Sequence, residues 1–182
     1  GTINHINHAG IDFYNRLIDF CLELNITPWA TIYHWDLPYE LEKKGGWNNR
    51  QVLDWFTDYT ELCVKKFGDR VKHWMVLNEP MAFTGAGHFF GIHAPGKKGL
   101  SNFLSSVHHA ALCQAEGGKI IKSLCTDCKV GTTFSVSYIE PLTQMEKDVL
   151  AAKKVDALLN RLFLEPLLGL HISGMRGLGV MV

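Results

Sequence analysis

The stretch HWMVLNEP, residues 73–80, runs four apolar side chains, Trp74, Met75, Val76 and Leu77, straight into an amide, a carboxylate and a proline. A short apolar run with a turn signal behind it is the pattern of a strand buried on both faces. A second such run lies upstream in TPWATIYHWDLP, residues 27–38, with a strand at about 27–34 and again a polar, proline-terminated end. A third, KVGTTFSVSYI, covers residues 129–139.

Helical spacing fills the intervals. Phe13, Leu17, Cys21 and Leu24 predict an amphipathic helix over about 10–25. Val52, Phe56, Tyr59, Cys63 and Phe67 predict a second, entered through the Gly and Asn residues of GGWNNRQ and closed by FGDR. SNFLSSVHHAALCQ opens a third with Ser101 as its cap, and Gly117-Gly118 weakens it by about 1 kcal/mol per glycine relative to alanine. Met145, Val149, Ala152, Val155, Leu159 and Leu162 predict a fourth, stopped at Pro166. Residues 84–99, TGAGHFFGIHAPGKKG, read as a Gly-rich loop. The order αβαβαβα requires parallel strands, because each helix carries the chain back to the same end of the sheet. The fold class is therefore α/β, and residues 1–182 read as one domain with an atypical tail at 169–182. The GMRGLG of that tail follows no strand and is not read as nucleotide-binding.

Eighteen basic residues balance eighteen acidic ones, which gives nucleic acid and anionic membranes no electrostatic attraction. No run approaches the roughly 18 apolar residues of a membrane span. The start, GTINHINHAG, has no basic or apolar leader pattern and no Met, so no signal peptide is expected and the chain reads as starting inside a longer protein. Five cysteines are too few and too scattered for a disulfide framework, which points to a reducing, cytoplasmic compartment. Cys125-Thr-Asp-Cys128 lacks the second ligand pair of a zinc site and precedes a strand where a redox motif opens a helix, so it reads as an ordinary loop. No metal and no cofactor is called for.

Ligands of parallel α/β folds bind at the carboxyl ends of the strands. His34, Trp35 and Asp36 leave the first strand on that face, and Asn78 and Glu79 leave the second. Adjacent strands lie about 4.8 Å apart, so these groups can converge on one small ligand. Imidazole and amide suit sugar hydroxyls, an indole face suits the C–H surface of a sugar ring, and the Glu79 carboxyl group can donate or accept a proton. N-E-P and D-L-P are also ordinary turn sequences, and residue pattern alone leaves the two readings level.

Together ITPWATIYHWDLP, GGWNNRQ, FTDYTELCVKKFGDRVKHWMVLNEP, GIHAPG and FLEPLLG resemble glycoside hydrolase family 1, the β-glucosidase family, in register from about Ile11 to Gly169. The resemblance implies part of a TIM (β/α)8 barrel, its third to fifth strands, and a retaining enzyme acting on β-glucosides or short oligosaccharides through two glutamates. It makes Glu79 the acid/base and Asn78 the partner of the sugar 2-hydroxyl. It gives His34 and Trp35 to the pocket for the terminal sugar. It leaves Asp36 to the strand-exit turn, His93 to the loop, and His108 and His109 to packing and surface. The nucleophile's Thr-Glu-Asn-Gly block does not occur, and Glu140, Glu146 and Glu165 stand in other contexts. The tail after Gly169 leaves the family pattern, as expected of a truncated or frame-shifted product. The alternatives are an inactive sugar-binding or structural fragment and a 6-phospho-β-glycosidase. Self-association is expected through open barrel edges, with the inward-facing Trp29, Ile32, Met75 and Phe134 short of packing partners.

Overall fold

The structure, a computed structural model, describes residues 5–170. GMRGLG and the rest of the tail beyond Leu170 lie outside the described residues. The chain divides into two compact units, residues 1–133 and 134–182.

The first unit opens with α1, His8–Glu23, whose first turn is capped by the Asn7 side chain accepting from the Gly10 N–H at 3.1 Å. Strand β1, Trp29–Tyr33, leads through a short helix α2, Tyr39–Glu42, and a 3-10 turn, Gly46–Asn48, into α3, Val52–Phe67. Strand β2, His73–Asn78, is followed by α4, Pro80–Gly85, a π turn at Ala86–Phe90, and the long α5, Leu100–Leu124. Strand β3, Lys129–Thr133, closes the unit. The sheet runs β1-β2-β3 with both pairings parallel.

Side chains alternate across this sheet. Trp74 and Val76 are buried on the face covered by α3 and α5. Gly117 lies where α5 meets that face: a Cβ there would stand 2.9 Å from both Phe56 Cε1 and Val76 Cγ1. Gly117 thus permits close approach of α5 within a helix that continues unbroken to Leu124. Replacing Gly117 by Val forces a branched side chain between Phe56 and Val76. We expect a loss of about 3 kcal/mol, read from the midpoint of denaturant unfolding.

The opposite face carries Trp29, Thr31 and Met75. Trp29 is 62% exposed and stacks on His73 with ring centroids 4.3 Å apart. Ile32 is not part of that open face. It is 5% exposed, because its odd spacing from Trp29 turns it to the helix side, next to Val76. A third aromatic layer sits above the strand ends. Buried Trp47 donates from Nε1 to the Tyr33 hydroxyl at 3.0 Å and packs on Phe83. Its carbonyl accepts from Nδ1 of buried His109 at 2.8 Å.

Several expected boundaries move. Residues 84–90 are helical rather than loop, since small residues there let the π turn pack; Gly87 leaves room for the Ala94 carbonyl, which would be 2.5 Å from a Cβ. Ser101 lies inside α5, and Gly99 occupies the cap position. Among the described residues no helix is long and apolar enough to cross a membrane.

In the second unit the expected third strand does not continue past Thr133, and residues 134–145 are irregular. The Asn160 side chain brackets Ser137, accepting from its N–H at 3.0 Å and donating to its carbonyl at 2.8 Å. This replaces the strand pairing that Ser137 lacks. Phe134 is half-buried here. Helix α6, Glu146–Asp156, passes through a π turn at Ala157–Arg161 into α7, Leu162–Leu167. Pro166 lies within α7, near its end, where the helix has little left to lose; Gly169 with φ +71° follows the stop.

Candidate active site

Both candidate endings occur where a strand meets a left-handed residue that is not glycine. Trp35 has φ 72° and Glu79 has φ 44°. Such conformations cost on the order of 1–2 kcal/mol for an L-residue and persist where neighbours hold them. The Glu79 N–H donates to the Thr133 carbonyl at 2.8 Å, and its carbonyl accepts from Ala82 at 2.8 Å. The first bond ties Glu79 to the end of β3, and the second starts α4. Pro80, at the first helical position, has no N–H to satisfy and presets the helical φ. The strand therefore stops at Asn78, and the half-buried Glu79 is fixed from both sides.

Trp35 is fixed differently. Its Nε1 donates to the Asn78 carbonyl at 2.9 Å, joining the exit of β1 to the exit of β2. The Asp36 carboxylate accepts from the His34 N–H at 3.3 Å, so Asp36 closes the strand-exit turn. The His34 and Trp35 rings meet edge to face at 5.6 Å, and His93 from the GIHAPG loop lies 5.6 Å from Trp35 on another side. The structure thus gathers His34, Trp35, Asn78 and Glu79 at the carboxyl ends of neighbouring parallel strands. Since Asn78 already pairs with Thr133 in the irregular register beyond Met75, its position is set by β3 as well.

One residue was not singled out from the sequence. His88, in the π turn, is 1% exposed, with Nδ1 3.2 Å from the Phe83 carbonyl and Nε2 buried without a partner among the described residues. Burial holds its pKa below the ordinary imidazole value. It lines a cavity of 530 Å³ with Tyr33, Trp35, Glu42, His93 and Pro95. Its sequence signal was hidden because the segment read as loop. The Glu42 carboxylate beside this cavity is already paired with Lys97 at 2.5 Å.

Cys125 and Cys128, expected to form a plain loop, are joined by a disulfide. The turn between α5 and β3 brings their Cα atoms to 5.4 Å, within bridging range. Their sulfurs and an Asp127 oxygen lie within 4.8 Å of one another.

The family model for glycosyl hydrolase family 1 matches residues 1–172. The 1,4-beta-D-glucan glucohydrolase of Thermotoga neapolitana is 45% identical over 163 residues, covering 89% of this chain and 38% of that protein. Beta-glucosidase 42 of Arabidopsis thaliana is 39% identical over 175 residues, covering 92% of this chain and 35% of that protein. The solved Thermotoga maritima beta-glucosidase in complex with glucoimidazole superposes with a TM-score of 0.87 at 42% identity, over 89% of this chain and 37% of that one. The chain therefore spans well under half the length of these relatives, and its parallel βα units are part of their TIM (β/α)8 barrel. With the family model matching residues 1–172 and the fold shared at this identity, the chain belongs to glycosyl hydrolase family 1.

Proposed function

We propose that this chain forms the acid/base side of a retaining site for terminal β-D-glucosides. The observation that supports this most directly is Glu79 itself: a carboxyl group at the carboxyl end of a parallel strand, in a left-handed conformation held by Thr133 and Ala82. In the proposed reaction Glu79 protonates the glycosidic oxygen as the leaving group departs. It then takes a proton from the water that releases the sugar. The Asn78 amide hydrogen-bonds the sugar 2-hydroxyl, an interaction that strengthens in the transition state. His34 offers its ring edge to hydroxyl groups. Trp35 has committed its N–H to the Asn78 carbonyl, so what it presents to sugar is its aromatic face.

The nucleophilic carboxylate of a retaining site belongs roughly 5–5.5 Å from the acid/base. Glu140, Glu146 and Glu165 lie in the second unit, and Glu165 is engaged with Arg161 at 2.6 Å. In this reading the nucleophile comes from barrel units beyond these residues, in keeping with the 35–38% share of the relatives' length that the chain spans. The cytoplasm as its compartment belongs to the same proposal and rests on the small, odd number of cysteines in the sequence.

The assignment is tested in an enzyme completed with the remaining barrel units of a family relative. Glu79→Gln should lower kcat/KM about 10³-fold for an alkyl glucoside, whose leaving group needs a proton. It should lower it less than about tenfold for a dinitrophenyl glucoside, whose leaving group does not. Equal losses on both substrates would remove Glu79 from the acid/base role.

A further inference from the structure

The C-x-x-C turn lies outside the sugar site, at the foot of β3, whereas Thr133 at the other end of the same strand holds Glu79. Cys125 caps α5 and Cys128 directly precedes β3. Both are buried, Cys125 at 5% and Cys128 at 1% exposure. The Lys72 ammonium stands 3.9 Å from Cys125 Sγ, 3.2 Å from Asp127 Oδ1 and 2.9 Å from the Gly68 carbonyl. Lys122 donates to the Cys128 carbonyl at 2.6 Å. The Lys72 carbonyl in turn accepts from the Lys129 N–H at 2.8 Å, which begins the pairing of β3 with β2.

We infer that Cys125 and Cys128 are a reversible thiol–disulfide couple that clamps the start of β3 when oxidised and releases it when reduced. Cys125 is the more accessible of the two, and its sulfur lies 3.9 Å from the Lys72 ammonium and 3.3 Å from the Asp127 carboxylate that this ammonium pairs with. Oxidation begins when the Cys125 thiolate attacks one sulfur of a small disulfide such as oxidised glutathione and expels one glutathione thiolate. Cys128, giving up its proton, then attacks the Cys125 sulfur of the mixed disulfide and expels the second. Two protein thiols and one external disulfide become one protein disulfide and two external thiols, a two-electron exchange that runs backward by the same steps. Two of the three other thiols are poorly suited to compete: burial pushes Cys63 up to about 11 and Cys113 up to about 12.

Trypsin cleaves after Lys122 and Lys129, so both cysteines fall in the single peptide 123–129. The full chain, equilibrated in glutathione buffers, acid-quenched, alkylated and digested, should show this peptide passing from doubly alkylated to disulfide in one two-electron transition. A peptide that stays dithiol in excess oxidised glutathione, or stays bridged in excess dithiothreitol, overturns the couple. Hydrogen exchange then tests the clamp without any substitution. Amides of residues 129–133 should exchange several-fold more slowly in the oxidised protein, and equal rates in both states overturn it. Lys72→Met should slow alkylation of reduced Cys125 several-fold at neutral pH, since it removes the cation and leaves the Asp127 carboxylate beside the sulfur. An unchanged rate removes Lys72 from the mechanism proposed for the couple.

Discussion

The purified, mass-verified 182-residue chain is expected to hydrolyse β-glucosides no faster than solvent background. A retaining mechanism needs a carboxylate that attacks the anomeric carbon while the acid/base protonates the departing oxygen. The Thr-Glu-Asn-Gly block that carries this group in the family is missing from the sequence, and the glutamates after β3 lie in the second unit. Loss of the nucleophile from other covalent enzymes lowers kcat by about six orders of magnitude. In the proposed site the loss is compounded, since His34, Trp35 and Asn78 approach the sugar from one side only. A continuous assay with an aryl β-glucoside at high protein concentration measures it. Turnover that co-purifies with the chain and disappears in Glu79→Gln would show that a second carboxylate within these residues completes the site.

The features that could be read from the sequence are those whose cause is local. The spacing of Val52, Phe56, Tyr59, Cys63 and Phe67 marks α3, although its buried side is Val52, Phe56, Thr60 and Val64 and Tyr59 is exposed; the apolar run ending in Asn78 gives β2, because burial on one side of a helix or both sides of a strand leaves a period in the chain. What was not legible depends on partners distant in sequence. The left-handed φ of Glu79 needs the Thr133 carbonyl, 54 residues on, and the Trp35 turn needs the Asn78 carbonyl, 43 residues on. Gly117 looked like a weak point in a helix; its purpose emerges only with Phe56 and Val76 in place. Glycines at 85, 87 and 91 read as loop for the same reason, although residues 84–90 are helical. The cysteine turn was judged against helix-opening redox motifs, whereas here the pair joins a helix end to a strand start.

At micromolar concentration the isolated chain should sediment or elute as an assembly, not as a 20.5 kDa monomer. Among the described residues of the three-stranded sheet, β1 and β3 each pair with β2 alone, so each presents one unpaired row of backbone N–H and C=O groups. Among the described residues of the first unit no helix packs over the part of the face that carries Trp29 and Met75, as α3 and α5 cover the other face. Helix α1 adds Phe13, Tyr14, Leu17 and Phe20, all exposed, and a cleft of 480 Å³ opens between α1 and α3. Each large apolar side chain left in water forgoes about 1.5–3 kcal/mol of burial, against a net stability of about 5–15 kcal/mol for a typical domain. Four or five such residues match the whole margin, so association that covers them is favoured strongly over the monomer. The buried Ile32 lowers this sum but does not cancel it, because it faces α3 and α5 and leaves the open face as it is. Charged substitutions at Trp29 and Phe20 should therefore shift the chain toward smaller species without altering the buried Trp74 and Val76 layer. A sharp monomer peak with a cooperative thermal transition would mean instead that the first unit closes its core with the three strands it has.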